Sequence, residues 1–195
     1  MKTIITLLAI LQLIFLSSCM TVDDSDYLNK PIQVAIKNLI VVETKSTYNT
    51  NDVLYFNVYV PRYIKEEKFV DLLDIFKTSN NNQIPIGFNL EKKTAYNTWS
   101  RINIGNNYIL DKGQTSDVNY PFASCVLNNI DNLYEFRLGI KLLEQGEFKL
   151  NINEYLSCYP DNNNNNNDVG VNIITTYNIN DSNGKPITAY NFTVN

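Results

Sequence analysis

The feature that most constrains the fold is a strict alternation of apolar and polar side chains. Residues 53–60 and 133–142 both place an apolar side chain at every second position. Successive side chains of a β-strand point to opposite faces, so this pattern predicts strands with one buried face. The buried faces are expected to comprise Leu54, Phe56, Val58 and Val60 in the first segment and Tyr134, Phe136, Leu138, Ile140 and Leu142 in the second.

Two hairpins are predicted in the C-terminal half. Glu144-Gln145-Gly146 separates the strand at Leu133–Leu142 from an alternating segment that carries Phe148, Leu150 and Ile152. Asp181-Ser182-Asn183-Gly184 then separates Val171–Asn180 from Ile187–Val194, and these are residue types that accept positive φ in tight turns. Each pair of segments is expected to form an antiparallel hairpin.

The remaining chain adds shorter predicted strands. They lie at Ile32–Glu43, Ile86–Leu90, Trp99–Ile104, Tyr108–Asp111 and Tyr120–Leu127. About eight to ten short strands separated by turn signals, with no alternation of strands and helices, predict a single antiparallel β-sandwich of the immunoglobulin-like class over residues 31–195. Residues 66–77 carry apolar side chains at helical spacing, but a short strand also fits this run, so both alternatives stay open.

The first 18 residues have the order of a secretory signal peptide. Lys2 provides a positive start, and the largely apolar run Ile4–Leu16 is too short to span a bilayer comfortably. The run ends in Leu16-Ser17-Ser18-Cys19, which resembles a bacterial lipobox. By that resemblance to lipoproteins, Cys19 becomes the lipidated N-terminus of the mature chain and anchors it in a membrane.

Residues 19–30 are expected to be an acidic tether between the lipid and the domain. Asp23, Asp24 and Asp26 make it either a solvated spacer or, by resemblance to some surface lipoproteins, an export signal. Met20, rather than an aspartate, follows Cys19, which favours the outer membrane over the inner one. We therefore expect an envelope protein anchored in the outer membrane and facing the cell surface.

From Asp111 onward the chain resembles a group of small uncharacterised β-sandwich lipoproteins. The resemblance rests on the aromatic alternation of YEFRLGIKLLEQGEFKLN around a glycine turn, followed by the terminal segments. The resemblance implies a β-sandwich fold and a location in the cell envelope, and no activity is known for this group.

Charge and composition argue against several function classes. Lysine and arginine total 16 against 20 acids, giving a net charge of -4, and no histidine is present. This charge argues strongly against nucleic-acid binding by general electrostatics, and catalysis by a histidine of this chain is excluded. The asparagine run between Asp161 and Asp168 lacks the glycine and the acid that an EF-type calcium loop needs, so we expect a loop, no metal site and no cofactor.

Cys125 and Cys158 flank the hairpin predicted between residues 134 and 152. Antiparallel pairing would bring both cysteines to the open end of that hairpin, so a disulfide between them is expected in an oxidising compartment. Two buried free thiols are the alternative.

Aromatic residues provide the candidate binding surface. Tyr55 and Tyr59 are predicted on the polar face of their strand with Asn57 between them, an arrangement that would suit the stacking of a sugar ring. Tyrosine is also an ordinary strand residue on a half-buried surface, and Trp99 is expected to be a core anchor.

We expect a membrane-anchored protein without catalytic activity, which acts as a binding or envelope-structural module. A glycan- or peptide-binding accessory protein is one alternative, and a hydrolase that uses two carboxylates is another. The second would require acids held close together in a cleft, which the spacing of Asp71, Asp74, Glu135 and Glu154 does not predict.

Overall fold

The computed structural model describes residues 30–65, 69–116, 122–160 and 168–195. Strands dominate, and there is one short helix in these ranges. The elements are β1 (Ile32–Val42), β2 (Val53–Pro61), β3 (Tyr63–Ile64), β4 (Leu73–Asp74), α1 (Ile75–Ser79), β5 (Gln83–Lys93), β6 (Trp99–Arg101), β7 (Tyr108–Lys112), β8 (Gln114–Ser116), β9 (Phe122–Asn128), β10 (Leu133–Lys141), β11 (Gly146–Ile152), β12 (Tyr155–Cys158), β13 (Val171–Tyr177) and β14 (Tyr190–Val194). The expectation of an all-β chain is confirmed.

One curled sheet contains most of these strands. Its hydrogen-bonded order is β12-β13-β1-β2-β10-β9-β5-β11-β14, with β6 on β5, β7 on β10 and β8 on β9. The long strand β5 joins two groups of strands, because residues 83–87 pair with β9 and residues 88–92 pair with β11. All these pairs are antiparallel except β1 with β13, which is parallel. Residues Pro31–Asn195 form one compact unit.

The core lies along the alternating faces predicted for β2 and β10. These two strands pair over their whole length, with Phe136 opposite Val58 and Leu138 opposite Phe56. All the apolar residues predicted inward on both strands are buried, and Phe88 of β5 packs its ring centroid 5.0 Å from that of Phe56. Each such side chain contributes about 1.5–3 kcal/mol when it leaves water, so this aromatic cluster is a main source of stability.

Both predicted hairpins are wrong as pairings. Strand β10 is flanked by β2 on one side and by β9 and β7 on the other, which leaves no edge for β11. Strand β11 pairs with β5 and β14 instead, and β13 pairs with β1 and β12. The turn at Asp181–Gly184 does form. The Asp181 carboxylate accepts hydrogen bonds from the backbone N–H groups of Asn183 and Lys185, and Gly184 has a φ of 74°. Beyond the bridge between Asn180 and Pro186, the two segments that were predicted to pair move apart.

The predicted disulfide is also wrong in this structure, in which Cys125 and Cys158 are free and buried. The reason is the missing hairpin, which was the basis for placing the two cysteines together. The Cys125 thiol on β9 lies 3.7 Å from the carbonyl oxygen of Val58, whereas the Cys158 thiol on β12 lies 3.1 Å from the Ser79 hydroxyl. Each thiol is therefore packed against its own polar neighbour.

The ambiguous segment at residues 66–77 contains both kinds of structure in the part that the structure describes. Strand β4 pairs with β3, and one turn of helix α1 follows directly. Asp74 caps this turn by accepting the Lys77 N–H at 3.1 Å, while Ile75 is fully buried. The apolar residues whose spacing suggested a helix thus lie partly in strand β4 and partly in the helical turn α1.

Candidate functional site

Tyr55, Asn57 and Tyr59 share the outer face of β2, as predicted. They lie opposite Gly139, Arg137 and Glu135 of β10, in that order. The arginine guanidinium covers the Tyr55 ring at 4.3 Å from the centroid. Asn57 is only 5% exposed. The three residues are therefore together, but they do not form an open stacking surface.

Ion pairs close this outer face. Arg137 donates to both carboxylate oxygens of Glu43 at 2.8 and 3.1 Å and also pairs with Asp111. Burial acts to raise the pKa of Glu43, but the hydrogen bonds from Arg137 and Asn57 outweigh it and hold that pKa below its usual range. A ligand at this face would have to displace a network that already satisfies its own charges.

A groove of about 380 Å³ lies beside α1 and is lined in part by Arg62, Asp74 and Asp168. It is where the structure brings two acids to one concave surface. Arg62 binds Asp74 through two hydrogen bonds, at 2.9 and 2.8 Å. This pairing lowers the pKa of Asp74, so the carboxylate stays ionised and is a poor proton donor. The Asp74 carboxylate is therefore held in an ion pair with Arg62 at one side of this groove.

Trp99 is not the core anchor that was expected, since it is 38% exposed. It begins the short strand β6 and lies opposite Lys93 of β5. The turn between them is well fixed, because the Thr94 N–H donates to the Thr98 carbonyl at 2.7 Å and the two threonine hydroxyls are 2.8 Å apart. A short, well-fixed hairpin thus presents the chain's one tryptophan on the outer face of the sheet.

The side chain of Trp99 borders a groove of about 410 Å³ that runs over β11 and β14. Its other lining residues are Glu147, Phe148, Lys149, Asn191, Phe192 and Thr193. We call the outward-facing members of this set, Trp99, Glu147, Lys149, Asn191 and Thr193, the Trp99 face. The Phe148 and Phe192 rings stack at a centroid distance of 5.5 Å and an angle of 17°, which holds the two strands together.

The charges of the Trp99 face are paired within the protein. The Lys149 ammonium lies 2.6 Å from a Glu91 carboxylate oxygen and 4.8 Å from the centroid of the Trp99 ring. Lys93 pairs in the same way with Glu147 at 2.7 Å. Only about a quarter of each of the Lys149 and Glu91 side chains is exposed, so this pair is better shielded than most surface ion pairs.

Asn191 and Thr193 differ from these charged neighbours. They occupy alternate positions of β14, opposite Lys149 and Glu147 of β11, and both are exposed. In the part of the chain that the structure describes, neither side chain has a hydrogen-bond partner. An amide and a hydroxyl, each able to donate and accept, therefore line the same groove as the exposed indole, on the strand at its far side.

This site was not predicted from the sequence, although signals for it were present. Trp99 follows Asn97, which takes a positive φ of 61° in the hairpin turn, and it precedes only two further strand residues. A tryptophan at the start of a very short strand after a turn is more exposed than one within a long apolar run.

Other expected features lie partly or wholly beyond the described ranges. Cys19 and the acidic tether are outside them, and so is the asparagine run. The described residues contain no group of three or more acids or cysteines that could hold a metal ion. Within the same ranges, no helix is long and apolar enough to cross a membrane.

A scan against protein-family models found no matching family, and a search of curated proteins found no significant match.

Proposed function

We propose that this protein is a lipid-anchored binding module of the bacterial cell envelope that acts without catalysis and holds its ligand against the Trp99 face. The observation that carries the proposal is the exposed indole of Trp99 at a groove whose Lys149 and Glu147 are in ion pairs and whose Asn191 and Thr193 side chains have no hydrogen-bond partner among the described residues. Burying the exposed third of a tryptophan is worth about 2 kcal/mol, which makes this residue a natural anchor for a ligand.

The cellular location is proposed from the N-terminal residues. Lys2, the apolar run Ile4–Leu16 and the sequence Leu16-Ser17-Ser18-Cys19 together support lipidation at Cys19 and anchoring in the outer membrane. The acids at residues 23–26 support display at the cell surface. Fractionation of cells that carry Cys19→Ala should find the protein unprocessed or released, and normal membrane association of this variant would contradict the lipid anchor.

The finer architecture that we propose is a two-layer β-sandwich of the immunoglobulin-like class. Phe88, from the half of β5 that pairs with β11, contacts Phe56 of β2 and Phe136 of β10 at centroid distances of 5.0 and 6.3 Å. This contact supports two groups of strands that face each other across an aromatic core. An experimental structure with β5, β6, β11 and β14 in one layer and β2 and β10 in the other would agree with it.

The binding proposal is tested with the lipidated mature protein in detergent. Trp99 is the one tryptophan of the chain, so its emission reports contact at this face directly. We expect an envelope or extracellular polymer that changes this emission and whose binding is lost in Trp99→Ala. Tyr155→Ala, on the edge strand β12, is the matched control and should bind normally, since Tyr155 is exposed but lies outside the groove.

Two results would contradict the proposal. One is a ligand whose affinity is the same for the wild type and Trp99→Ala. The other is turnover of a bound polymer, which would make the protein an enzyme.

A further inference from the structure

We infer that the ligand of the Trp99 face is a neutral polysaccharide, that is, a chain of sugar rings without charged groups. This inference rests on the proposed function, and it names the chemical class of the ligand. Three features support it: the paired charges of the face, the free polar side chains of β14, and the position of the groove on the face of the sheet.

The ion pairs disfavour a charged ligand. An anionic ligand would have to draw Lys149 away from Glu91, which lies 2.6 Å from its ammonium, or Lys93 away from Glu147. A cationic ligand would find one side of the Trp99 ring already occupied by Lys149, at 4.8 Å from the centroid. A neutral ligand can lie on this face with both pairs intact.

The free polar groups favour a ligand rich in hydroxyls. Asn191 and Thr193 project from the same face of β14, about 7 Å apart along the strand. The asparagine amide has two N–H donors and an acceptor oxygen, and the threonine hydroxyl can both donate and accept a hydrogen bond. A sugar ring presents C–H groups on its face and hydroxyls around its edge, so one ring of a polysaccharide can stack on Trp99. Asn191 and Thr193 lie three strands away from Trp99, in the order β6-β5-β11-β14, and can form hydrogen bonds with the hydroxyls of another ring of the same polymer.

The part of the groove over β11 favours a saccharide over a peptide. An extended peptide gains most of its affinity by adding a strand at a sheet edge, where the backbone N–H and C=O groups are open. The groove here lies over β11 and β14, and β11 is hydrogen-bonded on both sides, to β5 and to β14. A ligand over β11 therefore meets side chains and not open backbone groups, which suits stacking and hydrogen bonding to hydroxyls, although β14 is the last strand of the sheet order and borders the groove.

The experiment is affinity electrophoresis of the lipidated mature protein in detergent. The gels contain a neutral polymer (a mixed-linkage β-glucan, a galactomannan or a soluble starch) or an anionic one (alginate or polygalacturonate). We expect at least one neutral polymer to retard the wild type. Trp99→Ala should weaken that binding by more than about tenfold, and Asn191→Ala by about threefold to tenfold. Tyr155→Ala and Asn106→Ala, which change an exposed aromatic and an exposed amide outside the groove, should bind as the wild type does.

Tyr96, 90% exposed at the tip of the same hairpin, adds a further test. Two exposed aromatics on one hairpin could instead contact lipid. Protein inserted into phosphatidylcholine vesicles with brominated acyl chains distinguishes the two, because an indole in the bilayer is quenched by bromine. We expect no such quenching of Trp99 emission.

Three outcomes would overturn the inference: retardation by the anionic polymers alone, retardation by none of the polymers, or bromine quenching of Trp99. If an anionic polymer or a protein binds through Trp99, the inference fails and the proposed binding function stands. If binding never depends on Trp99, both fail.

Discussion

Gly139 of β10 leaves room for the Tyr55 ring, and its replacement by alanine should destabilise the fold. A Cβ at this position would lie 2.6 Å from a Tyr55 ring carbon and 2.6 Å from Val53 Cγ1. Carbon atoms in good contact are about 3.5–4.0 Å apart, so both neighbours would have to move by about 1 Å. The ring cannot move outward freely, because Arg137 covers it at 4.3 Å and is itself tied to Glu43.

The expected loss of unfolding free energy is about 1–3 kcal/mol, the usual range for overpacking at a tight contact. With a urea dependence of about 2 kcal/mol per molar, the midpoint of unfolding falls by about 0.5–1.5 M. Urea denaturation of the full-length protein in detergent, followed by circular dichroism, measures this shift.

Gly87→Ala is the matched control. Gly87 also lies within a strand, β5, but a Cβ there would meet its nearest neighbour, Asn153 Cβ, at an ordinary 3.7 Å. We expect a change within about 0.5 kcal/mol. The double variant Gly139→Ala/Tyr55→Ala should recover about 1 kcal/mol of the loss, relative to the sum of the two single changes. Equal stability of Gly139→Ala and Gly87→Ala, or additive single effects, would refute the steric account.

Two further predictions concern titration and the thiols. Arg62 lowers the pKa of Asp74 in the folded state, so protonation favours the unfolded chain; stability should fall as the pH drops below the ordinary aspartate range, and urea midpoints between pH 7 and pH 3 should fall less steeply for Asp74→Asn. An equal pH dependence in that variant would contradict the role of this pair. Cys125 and Cys158 are buried free thiols, and burial raises the pKa of both, so iodoacetamide should modify them only after denaturation and without any reductant. A requirement for reductant, seen by mass spectrometry, would show that they form a disulfide after all.

The sequence was informative about which side chains are buried and much less so about which strands are neighbours. Alternation in residues 53–60 and 133–142 identified the inward faces of β2 and β10 correctly, since a period of two follows from strand geometry alone. The same alternation does not say whether two consecutive strands pair or separate. Both predicted hairpins failed for this reason, and so did the disulfide that depended on one of them.

The candidate site was predictable only in part. Tyr55, Asn57 and Tyr59 do share one face, but the sequence could not show that Arg137, 80 positions after Asn57, would cover it. The parallel pairing of β1 with β13 is equally non-local. Trp99 was misplaced because tryptophan is usually well buried, whereas here a short edge hairpin holds it outward.

Binding of a ligand against the exposed ring of Trp99 can be measured directly as a change in the quenching of Trp99 emission by acrylamide. In the free protein the 38% exposed ring should be readily quenched. Saturation with the neutral polysaccharide that retards the protein should shift the emission and protect it from acrylamide. Binding that leaves both the emission and its quenching unchanged would show that the ligand lies elsewhere on the protein and not against Trp99.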